Sequence, residues 1–241
     1  MRKVATIAQR ELGAYFLSPI AYAVHAMFLF TAGLAFALGT FKAGGEASLR
    51  SLFEFWIVLI LVFVLPMLTM RLMSEELRSG TIETLLTAPI TEVEIIVGKF
   101  CGAFAFYVIM LVALLFFPIL LSNYGDVDPW LLVCNYIGLL LLGALYVSVG
   151  LFFSTLTKHQ VIAVLFSFGL LALMTFAFHA LSTRIENWPK LRTVMQQLSI
   201  QSHFHDFVRG MLDLNHLMFF LTTTGFFLFV AVKLLEARRW R

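Results

Sequence analysis

LLVCNYIGLLLLGALYVSVGLFF, residues 131–153, runs for twenty-three residues without an Asp, Glu, Lys or Arg. A helix rises about 1.5 Å per residue, so about 20 apolar residues cross the roughly 30 Å of bilayer hydrocarbon. Apolar and polar residues do not alternate along the run, as they would on a barrel strand, and lipid offers no partner to an unpaired backbone amide. It therefore reads as a membrane helix. Outward from it, residues 20–41, 55–70, 100–121 and 161–181 are equally free of charge, and residues 217–235 carry only Lys233. The sequence thus predicts six spans, over 20–41, 53–73, 97–121, 131–153, 161–181 and 215–235, and an all-α integral membrane protein of one domain, residues 1–241.

Composition agrees with that reading. Hydrophobic residues make up 61% of the 241, charged residues 13%, and the mean hydropathy is +0.92, outside the range of an ordinary soluble core. With both termini in the cytoplasm, eleven of the seventeen Lys and Arg fall inside. Positive charge near helix ends is retained on that side, so this orientation is expected. The short outer loop 122–129 then holds Asp126 and Asp128 and no basic residue. The net charge of +3 follows from this topology, and no basic domain with interleaved aromatics points to nucleic acid.

Residues 1–19 do not read as a cleaved signal. On a helical wheel Val4, Ile7, Ala8, Leu12 and Tyr15 share one side and Arg2, Lys3, Gln9 and Arg10 the other, predicting an amphipathic helix along the inner membrane surface with its basic side near lipid phosphates. The plainer alternative is a lead-in without a surface role. Ser18 and Pro19 suit the start of the first span, a serine cap followed by a proline whose missing amide hydrogen costs nothing there. Cys101 and Cys134 lie in predicted spans and read as small packing residues, forming no disulfide framework or metal motif.

Between the second and third spans lies a polar island, SEELRSGTIETLLTAPITEVE, residues 74–94, with five carboxylates. The second helix is expected to run past Arg71 into water, where Arg71 can meet Glu75, and Glu75 can meet Arg78, at one-turn spacing. Gly80 is a helix stop. Thr81 can cap a new short helix with Glu83 in its first turn and Leu85 and Leu86 on its apolar side, which Ala88 and Pro89 end. Thr91 to Glu94 is a capping box that opens the third span.

At these residues the chain resembles the membrane subunits of ABC-2 type transporters, most of all the small permeases of the gliding-motility and nitrous-oxide-reductase-maturation type. The signature is Glu75-Glu76-x-x-x-Gly80-Thr81-x-Glu83-x-Leu85-Leu86-x-x-Pro89-Ile90, followed by Lys99. The resemblance covers the whole length. It implies a cytoplasmic coupling helix within residues 74–96, seated in a groove of a nucleotide-binding subunit, with Glu75, Glu76, Arg78, Gly80, Thr81, Glu83, Thr84 and Leu85 as the coupling interface. It implies two ABC ATPase subunits that bind ATP and Mg, a second permease copy as a homodimer, a periplasmic-facing auxiliary subunit, lipid around the spans and a place in the bacterial inner membrane. It also implies re-entrant helices outside, between the fifth and sixth spans. Residues 185–214 are too polar to span, yet Leu191, Val194, Met195, Leu198, Phe204, Phe207 and Met211 recur at near-helical intervals. An ordered outer loop without lipid contact is the competing reading.

The chain carries no engine of its own. Its one Gly-Lys pair, Gly98-Lys99, is followed by Phe100 and has Val93 where a phosphate-binding loop needs its first glycine. No catalytic, cofactor or metal site is expected here, and the chain is not read as an enzyme. Glu54, at the outer end of the second span, is a candidate for a substrate pathway. Its ordinary reading is an interfacial pair with Arg50, one turn earlier. His25 and His179 fall near opposite membrane faces and do not pair as haem ligands. His203-x-His205 with Asp206 lacks a third ligand at regular spacing. Gly98-x-x-x-Gly102 permits a close helix contact without saying with what. Two functions stay open: an ATP-driven permease, read as an exporter, and an assembly in which an ATPase drives this subunit against an external partner without moving a solute.

Overall fold

The computed structural model describes residues 2–40, 50, 52–82, 90–122, 128–185 and 188–239. Helix α1 covers Arg2–Phe16 and α2 covers Pro19–Thr40. A π-helical turn, Leu52–Ile57, leads into α3, Val58–Thr69, and α4 follows over Arg71–Ser79. Beyond it come α5, Glu92–Leu114, α6, Phe116–Leu121, and α7, Pro129–Leu156. Helix α8, Gln160–Ala172, passes through a second π-helical turn, Leu173–Ala177, into α9, Phe178–Arg184. Two short helices, α10 over Pro189–Leu198 and α11 over Ile200–Val208, precede α12, Leu214–Arg239. No strand occurs among the described residues.

Among the described residues six helical stretches are long and apolar enough to cross a membrane: Pro19–Leu38, Leu52–Ser79, Glu92–Leu121, Pro129–Leu156, Gln160–Arg184 and Leu214–Arg238. The second and fourth form the centre, with 61% and 67% of their most apolar windows buried, against 33%, 28% and 22% for the first, fifth and sixth. In lipid the hydrophobic effect does not drive helices together, so close packing must. The fourth span supplies it by omitting side chains. A Cβ on Gly143 would stand 1.9 Å from Tyr107 Cε1 of α5, and one on Gly150 would stand 1.9 Å from Thr69 Oγ1 of α3. The hydroxyls carried into this interior find partners, as they must where no water reaches: Tyr107 donates to Leu139 O at 2.7 Å, and Tyr146 and Thr175 share a 2.8 Å bond. Thr175 lies in the second π-helical turn.

Pro118 marks a break in the third span. Its ring and missing amide hydrogen disturb the preceding turn, and helical bonding is interrupted at Leu115, between α5 and α6.

Helix α1 has the predicted sidedness. Ile7 and Tyr15 are buried, Val4, Ala8 and Leu12 half-buried, and Arg2, Lys3, Gln9 and Arg10 exposed. The apolar side lies on protein: a Cβ on Gly98 would meet Ile7 Cβ at 2.8 Å, and one on Gly102 would meet Glu11 Cβ at 2.7 Å. The Gly98-x-x-x-Gly102 spacing is therefore the seat of α1 on α5. Pro19 begins α2 as expected, while the Ser18 hydroxyl receives a bond from Arg71 Nη2.

At the opposite end of the bundle the two short helices differ. Helix α11 buries Ile200, Phe204 and Phe207, with both rings beside Gly138 of α7. Trp130 Nε1 donates to Gly210 O at 3.1 Å just beyond it. Helix α10 buries nothing, and Leu191, Val194 and Leu198 lie exposed. The near-helical spacing read along both segments therefore describes two separate faces, one covered and one bare.

Candidate functional site

The densest polar chemistry lies where α1, α4 and the start of α5 converge. Lys99, about two turns into α5, is 1% exposed. A cation held there would be costly without compensation. Its Nζ donates to Glu11 Oε1 at 2.9 Å, to Glu76 Oε1 at 2.8 Å and to Leu72 O at 2.7 Å, which satisfies all three of its protons. Arg10 Nη2 joins the same two carboxylates, at 2.9 Å to Glu11 and 3.1 Å to Glu76. Two cations thus alternate with two anions, and the cluster is neutral. Glu76 Oε2 is buried with no partner among the described residues.

Burial alone would raise the Glu11 carboxyl, but Lys99 and Arg10 hold it below the usual carboxylate range. A depressed folded-state value makes its stabilisation complete above the unfolded value and lost as pH falls through the folded one. Release of α1 is therefore expected only below about pH 4. Limited proteolysis at Lys3 and Arg10 across a pH series checks this, with cleavage relative to an unstructured control peptide at each pH expected to stay constant from pH 5 to 8.

The island residues divide by side. Leu72, Met73, Ser74 and Leu77 of α4 face inward. Glu75 is exposed, while its neighbour Glu76 turns into the cluster. The predicted one-turn pairs do not form: among the described ion pairs Arg71 does not meet Glu75, and Glu75 does not meet Arg78. Arg71 reaches Ser18 instead, because the turn from α1 into α2 brings that hydroxyl alongside. Gly80 ends α4 with φ +76°, a conformation that costs other residues about 1 kcal/mol or more. Ser79 Oγ and Thr81 Oγ1 lie 2.8 Å apart, both exposed. Glu83, Thr84 and Leu85, with Leu86, Ala88 and Pro89, lie outside the described residues. The chain resumes in the capping box: Glu94 N donates to Thr91 Oγ1 at 3.3 Å and Thr91 N to Glu94 Oε2 at 3.0 Å.

Arg238 of α12 donates to Thr155 O and Leu156 O, both at 3.0 Å, closing the end of α7 at this same end of the bundle. Next to it an open groove of about 360 Å³ runs between the end of α4 and the start of α8, lined by Arg78, His159, Gln160, Val161 and Ile162.

At the far end, Glu54 pairs with Arg50 Nε at 3.4 Å and with His205 Nδ1 at 2.5 Å, and its backbone carbonyl accepts from Gln201 Nε2 at 2.8 Å. It thus ties the start of the second span to α11. His216 Nε2 meets Asp206 Oδ2 at 2.6 Å, and His203 Nδ1 meets His216 Nδ1 at 2.7 Å. No group of three or more His, Cys, Asp or Glu is placed to hold a metal among the described residues. His25 lies against Phe106, and His179 Nδ1 against Ser202 Oγ at 3.3 Å.

Sequence reasoning missed Arg10 and Glu11 as members of the cluster. A signal for Glu11 was present: it is an acidic residue beside the apolar stripe of α1. A family model described as ABC-2 family transporter protein matches residues 22–235, from within α2 to the end of α12's apolar part. No curated protein matches the chain.

Proposed function

The chain belongs to the ABC-2 family of transporter proteins, and from that premise we propose that two copies of it, with two ATPases, form an exporter driven through residues 75–85. It is the multi-pass membrane component of such a transporter, a non-catalytic permease. Permeases of this family carry no cofactor and pair with ABC ATPase subunits, on which ATP is hydrolysed. The finer reading is that the end of the bundle carrying α1, α4 and the capping box faces the cytoplasm of a bacterial inner membrane. There Glu75, Glu76, Arg78, Gly80, Thr81, Glu83, Thr84 and Leu85 form the ATPase-coupling segment of a gliding-motility or nitrous-oxide-reductase-maturation type permease.

The observation that carries this reading is the Lys99 cluster. It binds α4, whose last turns open the coupling segment, to α1 and α5 by charged bonds of 3.1 Å or less. A push on the segment is then shared by α4, α1 and α5. Closure of the ATPases would move these bases together and rock the two permease halves, opening the path between them alternately to each side. The groove beside Arg78 and His159 offers the ATPase a second surface next to the segment.

The bare apolar side of α10 favours a second reading, in which an external auxiliary subunit covers Leu191, Val194 and Leu198 and receives the motion without solute transport. Gly80→Trp and Glu83→Arg, made in the permease co-expressed with its ATPase, are each expected to lower permease-stimulated ATP hydrolysis about tenfold, roughly 1.4 kcal/mol of coupling. Unchanged stimulation would remove the segment from the interface. Nucleotide-dependent cargo movement in liposomes separates the exporter from the mechanical assembly.

A further inference from the structure

The second span, one helical stretch from Leu52 to Ser79, carries a local irregularity one residue long at Met70, whose N–H still donates to Pro66 O at 3.0 Å. It lies between α3 and α4, and the Met70 backbone stays helical at φ −52° and ψ −35°. Amide hydrogens that an irregular turn leaves off the helical ladder need partners from elsewhere. Here that turn lies deep in the bundle, where an unpaired amide is expensive. Ser154 of α7 meets the demand. Its Oγ accepts from Met73 N at 2.9 Å and from Ser74 N at 3.0 Å, and donates to Met70 O at 2.8 Å. One proton and two lone pairs are all used. Ser74 Oγ also donates to Met70 O.

The backbone on either side is held from outside as well. Tyr15 of α1 donates to Leu68 O at 3.0 Å, and Lys99 of α5 to Leu72 O at 2.7 Å. Side chains from three other helices therefore bond the main chain between Leu68 and Ser74. One turn before Ser154, Gly150 lets Thr69 approach so closely that no other residue fits. The irregularity is thus built into the interface between the second and fourth spans.

We propose that Met70 is the hinge on which α4 turns against α3 when the ATPases act, and that Ser154 is the positioning residue that latches one of its two positions. This rests on the coupling role assigned above to the segment that begins in the last turns of α4. The physical reason is where the bonds go. The start of α4 is tied to the fourth span by a side chain whose three bonds can be broken and remade together. A force applied at Gly80 acts along the nine residues of α4 and reaches that latch before it reaches α3.

The test uses the permease in complex with its ATPase in nanodiscs. Spin labels are placed at Phe63→Cys, on an exposed flank of α3, and at Ser79→Cys, with Cys101→Ser and Cys134→Ala removing the native thiols. Trapping nucleotide is expected to shorten the 63–79 distance by about 1–2 Å, as a bend of roughly 30–40° at Met70 does to arms of seven and nine residues. Ser154→Ala is expected to broaden that distance distribution in both states and to reduce ATPase stimulation per folded complex about tenfold, with Ser154→Thr recovering most of it. A 63–79 distance that ignores nucleotide while stimulation persists overturns the hinge and leaves the coupling segment standing. Failure of any ATPase to bind or be stimulated overturns the function and the hinge with it. If Ser154→Ala does not assemble, the unmutated-serine distance pair alone decides.

Discussion

Replacing Lys99 by methionine is expected to detach α1 and abolish coupling. Methionine keeps much of the length and apolar character of the stem but none of the charge. Glu11 and Glu76, with side chains 13% and 17% exposed, would then share only Arg10, which is itself largely solvated. Removing one partner of a buried ion cluster costs about 3–5 kcal/mol, because the remaining charges stay buried without compensation. Leu72 O would lose its donor as well. The expected results are a marked fall in thermal stability in detergent, rapid proteolysis at Lys3 and Arg10, and loss of ATPase stimulation. The charges themselves can be separated from packing: adding Glu11→Gln and Glu76→Gln to Lys99→Met should restore much of the stability, because a neutral set is cheaper to bury than an unpaired one. Coupling should not return with it, since amides do not replace the charged ties between α4 and α1. Stability that is indifferent to Lys99→Met would show that the cluster is held by solvent-exposed pairs of little worth.

Gly143→Leu is expected to prevent the bundle from closing. Even a single Cβ at Gly143 would sit 1.9 Å from Tyr107 Cε1 and 2.2 Å from its Cζ, within the ring rather than beside a movable chain end. Tyr107 cannot swing away without giving up its 2.7 Å bond to Leu139 O in a site that no water reaches. Overpacking costs about 1–3 kcal/mol and the stranded hydroxyl a further 1–3 kcal/mol. Gly143→Ala already carries most of that penalty, and leucine adds three more carbons. The yield of monodisperse protein by size-exclusion chromatography reads the effect. Tyr107→Ala in the Gly143→Ala background should recover part of the loss, a coupling that two independent sites would not show.

Much of the architecture is legible from local rules. Spans are set by the thickness of hydrocarbon, and the capping box at Thr91 and Glu94 by the orphan amides of a helix start. The end of α4 at Gly80 follows from the φ that only glycine takes easily. Each depends on residues within a few positions of one another. The predicted Arg71–Glu75 and Glu75–Arg78 pairs rest on the same kind of local rule and fail. An exposed one-turn pair is worth about 0.2–0.5 kcal/mol, less than the bond that α1 and α2 bring to Arg71 through Ser18. The pairing of Arg50 with Glu54 survives because packing places His205 on the other carboxylate oxygen instead of competing for the first.

The sequence by itself determined that this is a six-span helical membrane protein with a polar, capped connection between its second and third spans. Period, length and capping chemistry are local, and lipid permits few other answers. Only the tertiary structure decided what that connection is fastened to: Lys99 to Glu11 across 88 positions of chain, Ser154 to the irregular turn at Met73 across 81, and Gly98 and Gly102 to α1. Such partners are chosen by how whole helices pack, where a missing side chain on one and a buried charge or hydroxyl on another must coincide to within a few tenths of an ångström.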